Sequence, residues 1–202
     1  MRYPEPMKFL RTLLLALATL AFQAAPAGAE PPTQRVRLET SAGPIVIEVD
    51  LKHAPITAGN FLRYVDAGRF DGTTFYRAAR AGNTGRGLIQ GGIDHKLTKA
   101  FNPIPHEPTT RTGLRHIDGT VSMARNAPGS AMGDFFITIG PAPRLDAAGQ
   151  YPGYAAFGHV VSGMAVVRKI LAMKTYPGGY SRATMGQSII DRVRIISARR
   201  VK

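Results

Sequence analysis

The chain contains no cysteine and no tryptophan. Without thiols it has neither a disulfide framework nor a thiol nucleophile, so the fold must rest on an apolar core. Acidic residues are scarce: 13 Asp and Glu stand against 26 Lys and Arg, for a net charge of +13. Such a surplus suits anionic partners. The cations are scattered, however, with Arg192, Arg194, Arg199, Arg200 and Lys202 the nearest to a cluster. A basic stripe interleaved with aromatics is missing, so no nucleic-acid partner is expected. His53, His95, His106, His116 and His159 stand at no metal-ligand spacing, and His106-Glu107 lacks the second histidine of a zinc protease motif. No metal and no other cofactor is expected. There is no G-x-S-x-G elbow, and no G-K-[ST] follows Gly82, Gly85 and Gly87, which leaves that stretch as a flexible surface loop.

Long apolar runs are also few. The one near the start, Leu13 to Phe22, is short for a bilayer span. Lys8 and Arg11 precede it, and Ala27-Gly28-Ala29 follows as an A-x-A cleavage site. This order predicts a secretory signal over 1–29, with an uncleaved anchor as the alternative. Met7-Lys8 opens that signal more cleanly than Met1. The mature chain, 30–202, is then a single periplasmic or extracellular domain, away from the membrane once the signal is removed. It keeps about +11 of the charge, since Arg2, Lys8 and Arg11 leave with Glu5.

Val36, Leu38 and Thr40 alternate with Arg35, Arg37 and Glu39, and Ile45, Ile47 and Val49 resume the pattern after Ala42-Gly43. That predicts a hairpin. Pro55 opens a helix whose Ala58, Phe61, Leu62 and Val65 form one stripe, ended by Gly68. A second helix follows Gly163, with Met164, Val167, Ile170 and Leu171 as its apolar face. Short strands are predicted over 73–76, 88–90, 120–123, 135–139, 155–161 and 188–197. The fold class is therefore all-β with two helices, and the spacing alone does not separate barrel from sandwich.

Three blocks resemble the cyclophilin family of peptidyl-prolyl isomerases. Phe75-Tyr76-Arg77 is followed by Leu88-Ile89-Gln90-Gly91-Gly92. Gly119-Thr120-Val121-Ser122-Met123-Ala124-Arg125 runs into Gly133-Asp134-Phe135-Phe136-Ile137. Tyr154-Ala155-Ala156-Phe157-Gly158-His159-Val160 precedes Gly163-Met164. Pro55 to Phe61 fits the family's first helix, and the Met-Ala-Arg form resembles bacterial exported members. The resemblance covers about 36–197. It implies an eight-stranded antiparallel β-barrel closed at its ends by two α-helices, a monomer, and proline-containing segments of exported proteins as partners. It places the catalytic arginine at Arg77. Substrate contacts fall on Phe75, Leu88, Gln90, Ala124, Arg125, Asp134, Phe136, Leu145 and Tyr154. The alternative is a proline-peptide-binding chaperone module on the same fold, with weak or no catalysis.

The chain departs from the family at four places. The segment between Arg77 and Gln90 is longer than usual. Gly87 stands where a pocket aromatic is expected, which implies a shallower proline pocket. Asp134 replaces the usual Gln, and since an ionised carboxylate only accepts hydrogen bonds, the expectation is that it pairs with Arg77 and orients it. Arg144 takes the place of an aromatic that favours cyclosporin, which implies weak inhibition by that cyclic peptide.

Overall fold

A computed structural model describes residues 32–179 and 181–202. The signal-peptide expectation over 1–29 lies outside the described residues. Nine strands form one antiparallel sheet in the order β1-β2-β7-β5-β6-β4-β3-β9-β8. They are β1 (Thr33–Thr40), β2 (Gly43–Asp50), β3 (Thr74–Arg80), β4 (Gly87–Gly92), β5 (Thr120–Met123), β6 (Asp134–Ile139), β7 (Ala156–Ser162), β8 (Thr175–Tyr176) and β9 (Ser188–Val201). β1 also pairs with β9, from Arg35↔Val201 to Thr40↔Ile195, so eight strands close a barrel and β8 hangs on β9. The closure settles barrel over sandwich.

The period-2 pattern of the hairpin buries one face, as strand geometry requires. Val36, Leu38, Ile45, Ile47 and Val49 are all fully buried. Helix α1 (Pro55–Asp66) follows β2, while α3 (Met164–Leu171) packs beside the β1–β2 turn at the other end, where Val166 faces Gly43. Under α1 the rings of Phe61, Phe70, Phe135 and Phe157 pack with centroids 5.2–5.4 Å apart. A one-turn helix, α2 (Thr109–Thr112), lies in the long β4–β5 connection.

No side chain at the N-cap Ala54 caps α1. Glu107 does so from the long connection. Its carboxylate accepts the Thr57 N–H and the Thr57 hydroxyl, both at 2.6 Å, and the Ile56 N–H at 3.3 Å. Arg111 lies 3.4 Å from the same carboxylate, which is 1% exposed.

The stretch after Arg77 is more ordered than the glycines suggest. β3 continues through Ala78 and Ala79 to Arg80, β4 already begins at Gly87, and the Ala81 N–H bonds the Arg86 carbonyl to close the hairpin. Gly87 has φ +152°, and a Cβ there would lie 2.1 Å from the Ala79 carbonyl oxygen. Only glycine fits, so this backbone excludes an aromatic side chain at that position.

Candidate active site

A bulge on β3 shapes the site. Phe75 pairs with Gly91 and Arg77 with Gln90 on β4, while on β9 the same two residues face Val193 and Ser188. Phe75 and Ala78 both point into the core, three residues apart, so the pleat slips by one between them. Tyr76 and Arg77 are thereby both presented outward. Phe75 is fully buried, packs its ring 5.8 Å from Phe135, and leans on Gly91, where a Cβ would meet it at 2.7 Å. The expectation that Phe75 touches substrate is corrected: its side chain faces the barrel interior.

The other residues singled out in the sequence come together. Arg77, Leu88, Gln90, Ala124, Arg125, Asp134, Phe136, Leu145 and Tyr154 all line one groove of about 650 Å³ on the outer face. Phe136 alternates with the core residues Phe135 and Ile137, so it faces out of the barrel. It is nonetheless only 3% exposed. Tyr154 meets it edge-on at 5.4 Å, and His116 stacks behind it at 5.9 Å. The Arg125 guanidinium lies over Tyr154, 4.8 Å from the ring centre, and bonds the Gly153 carbonyl.

His116 was not identified from the sequence. Its Nδ1 lies 2.6 Å from Asp146 Oδ1 and its Nε2 3.0 Å from Ser122 Oγ. Burial holds the imidazole below its ordinary pKa. The neutral ring thus donates from Nδ1 and accepts the Ser122 hydroxyl at Nε2. The trio copies the order of a hydrolase triad, but Ser122 is fully buried. It supports the Phe136 ring from behind and offers no nucleophile.

Arg77 is pinned by two glutamines. Its Nε donates to Gln187 Oε1 at 2.8 Å and its Nη1 to Gln90 Oε1 at 2.7 Å. Gln187 comes from the turn before β9, 110 residues away, and no local pattern marks it. Burial draws the guanidinium below the ordinary arginine pKa, yet an arginine remains cationic at any physiological pH. The expected Asp134–Arg77 pair is not formed. Asp134 accepts the backbone N–H of Asp94 at 2.8 Å and of His95 at 3.2 Å, with His95 Nδ1 3.6 Å away. Asp94 and His95 both have left-handed backbone, φ 52° and 58°. Two successive N–H groups therefore converge on one anion. Burial raises the Asp134 pKa, while His95 and these N–H groups oppose that rise.

Tyr76, with the Asp134 carboxylate close by, reaches Arg77 through one amide: Gln90 Nε2 donates to the Tyr76 oxygen at 2.7 Å, and Gln90 Oε1 receives Arg77. Burial pushes the Tyr76 hydroxyl well above its ordinary pKa, so it stays a donor.

Comparison with known proteins agrees with this geometry. A family model described as cyclophilin type peptidyl-prolyl cis-trans isomerase matches residues 35–199. The chain is 36% identical over 193 residues to peptidyl-prolyl cis-trans isomerase A of Dickeya dadantii, covering 94% of this chain and 97% of that one. It is 35% identical to peptidyl-prolyl cis-trans isomerase B of Escherichia coli, covering 77% and 94%. Two crystal structures of a Cryptosporidium parvum cyclophilin type peptidyl-prolyl cis-trans isomerase, one in the presence of the dipeptide Ala-Pro, share the fold. Their TM-scores are 0.62 and 0.64 at 21% and 22% identity, each covering 84% of this chain and 98% and 99% of their own. The chain belongs to the cyclophilin-type peptidyl-prolyl cis-trans isomerases.

Proposed function

We propose that Arg77 is the catalytic residue of this isomerase and that its clients are proline-containing segments of exported proteins, met in the periplasm. The observation that supports Arg77 is its fixed position: two amide carbonyls hold the guanidinium, at Nε and at Nη1, in a groove walled by Phe136 and Leu145. An Xaa-Pro bond rotates behind a barrier of about 20 kcal/mol set by amide resonance. As the bond twists, conjugation is lost and the proline nitrogen gains a lone pair. A donor aimed at that nitrogen binds the twisted state more tightly than the planar one. The half-buried guanidinium is a charged donor already in place, so it needs no reorganisation at the moment of rotation. Phe136, Leu145 and Leu88 hold the proline ring while the preceding carbonyl turns. Rotation transfers no proton and forms no covalent bond.

Exchange NMR on an Ala-Pro tetrapeptide tests the assignment. Arg77→Ala should lower kcat/KM by about ten- to a hundredfold, the worth of a charge-assisted hydrogen bond of roughly 1.5–3 kcal/mol. Arg77→Lys should lose most of the rate too, because an ammonium is a point charge and not a planar fork able to meet both glutamines. Full activity in Arg77→Ala would remove Arg77 from the chemistry. The chaperone reading draws on Gly87, which leaves the groove short of an aromatic, and would show as peptide binding without acceleration by the wild type. For export, recovery of the chain from the periplasm with Glu30 at its N-terminus is the expected result.

A further inference from the structure

The basic surplus is not spread evenly once the chain is folded. Arg35, Arg37, Arg168, Arg192, Arg199 and Arg200 each meet a carboxylate on the surface. Four other arginines line the groove: Arg77, Arg80, Arg125 and Arg144. Among the described residues none of these four is ion-paired. Arg77 bonds glutamine carbonyls, Arg80 bonds the backbone carbonyls of Leu171 and Met173, and Arg125 bonds that of Gly153. Carbonyls satisfy donors without cancelling charge. Arg144 is exposed beside Leu145. Among the described residues the one acid lining the groove is Asp134, which is 5% exposed and already faces two backbone N–H groups and His95.

We infer that this groove selects Xaa-Pro segments flanked by acidic residues. The inference rests on the isomerase reading of the groove and adds the substrate class. Residues next to the bound proline have their Cα atoms about 3.8 Å away. At physiological salt the Debye length is about 8 Å, so cations lining one groove act on such neighbours with limited screening. A cleft lined with one sign of charge concentrates the opposite sign and speeds its entry. Arg80, at the end of β3, and Arg144, after β6, both line this groove. Asp or Glu side chains on either side of the proline would meet guanidinium groups that no carboxylate of the protein already occupies.

Exchange NMR on three peptides decides it: Glu-Pro-Ala-Glu, Ala-Pro-Ala-Ala and Lys-Pro-Ala-Lys, blocked at both ends, each rate taken over its own uncatalysed value. At low salt the expected order of kcat/KM is Glu above Ala above Lys, with about tenfold between the extremes. The gap should close toward unity near 1 M salt, where the Debye length falls to about 3 Å. Arg80→Gln with Arg144→Gln should shrink the Glu-to-Lys ratio, whatever the absolute rates become. Equal rates at low salt, a preference for Lys, or a ratio untouched by the double substitution would each overturn the inference. Acceleration of the Ala peptide reports on the isomerase activity separately. Were no peptide accelerated, dissociation constants from shift titration of the Glu and Lys peptides would decide the charge preference by the same tenfold criterion.

Discussion

Between Tyr76 and Arg77 every hydrogen bond has one direction. Burial keeps the Tyr76 hydroxyl protonated. The Tyr76 oxygen is then the acceptor for Gln90 Nε2, which turns Gln90 Oε1 toward Arg77. Tyr76→Phe keeps the ring and removes only the link. With Gln90 free to flip, its NH2 can oppose the guanidinium, and one hydrogen bond of about 1 kcal/mol is at stake. The expected result is a roughly fivefold fall in kcat with KM nearly unchanged, measured by exchange NMR at saturating and limiting peptide. An unchanged kcat would show that Arg77 needs no such alignment. Much of this was hidden from the sequence. The run Phe75-Tyr76-Arg77 marks where the chemistry lies, but the bulge that sends Phe75 inward depends on pairing with β9, more than a hundred residues on. Gln187 and His116 are recruited in the same non-local way.

At the scale of elements, strands and helices whose apolar period is strong were legible: the first hairpin, α1 and α3 stand where alternation and the i, i+3, i+4 stripe put them. What periodicity does not show is how an element's ends are satisfied. Nothing near Ala54 signals a cap, because the capping carboxylate arrives from Glu107, about 50 residues on. Glu107 thereby ties α1 to the long connection that also carries Asp94 and His95. In Glu107→Ala the Ile56 and Thr57 N–H groups and a buried hydroxyl lose their acceptor together, at a cost of about 2 kcal/mol. The melting temperature should fall by roughly 4–8 °C for a domain of this size. Glu107→Gln, which keeps one acceptor oxygen, should fall less. Calorimetry reads both. Because Glu107 does not line the groove, turnover per folded molecule should stay at the wild-type value. An unshifted melting temperature in Glu107→Ala would mean that water caps the helix equally well.

The whole molecule depends on one seam. Strand order around the barrel could not be read from strand spacing, since β1 meets β9 only after the rest of the sheet has curled. Two kinds of interaction hold β9 at that seam. One is the ladder from Glu39↔Ser197 to Arg35↔Val201, with Ala198 fully buried beneath it. The other is ionic: Arg199 with Asp71 at 2.6 Å and Arg200 with Asp66 at 2.7 Å. The ion pairs look strong, but these side chains are substantially exposed, and exposed pairs contribute about 0–1 kcal/mol each. The ladder closes the sheet on itself, and without it β1 becomes an open edge that invites pairing with other chains. Arg199→Gln with Arg200→Gln should therefore leave a monomer whose melting temperature is lower by only a few degrees. Truncation after Ile196 should yield a chain that associates and melts without a cooperative transition, as size-exclusion chromatography and calorimetry would show. If the truncated chain stayed monomeric and melted within a few degrees of the wild type, the sheet with its shortened β9 would hold the groove without closure. The barrel would then be a consequence of the packed core around Phe61 and Phe135, with the seam no longer its condition.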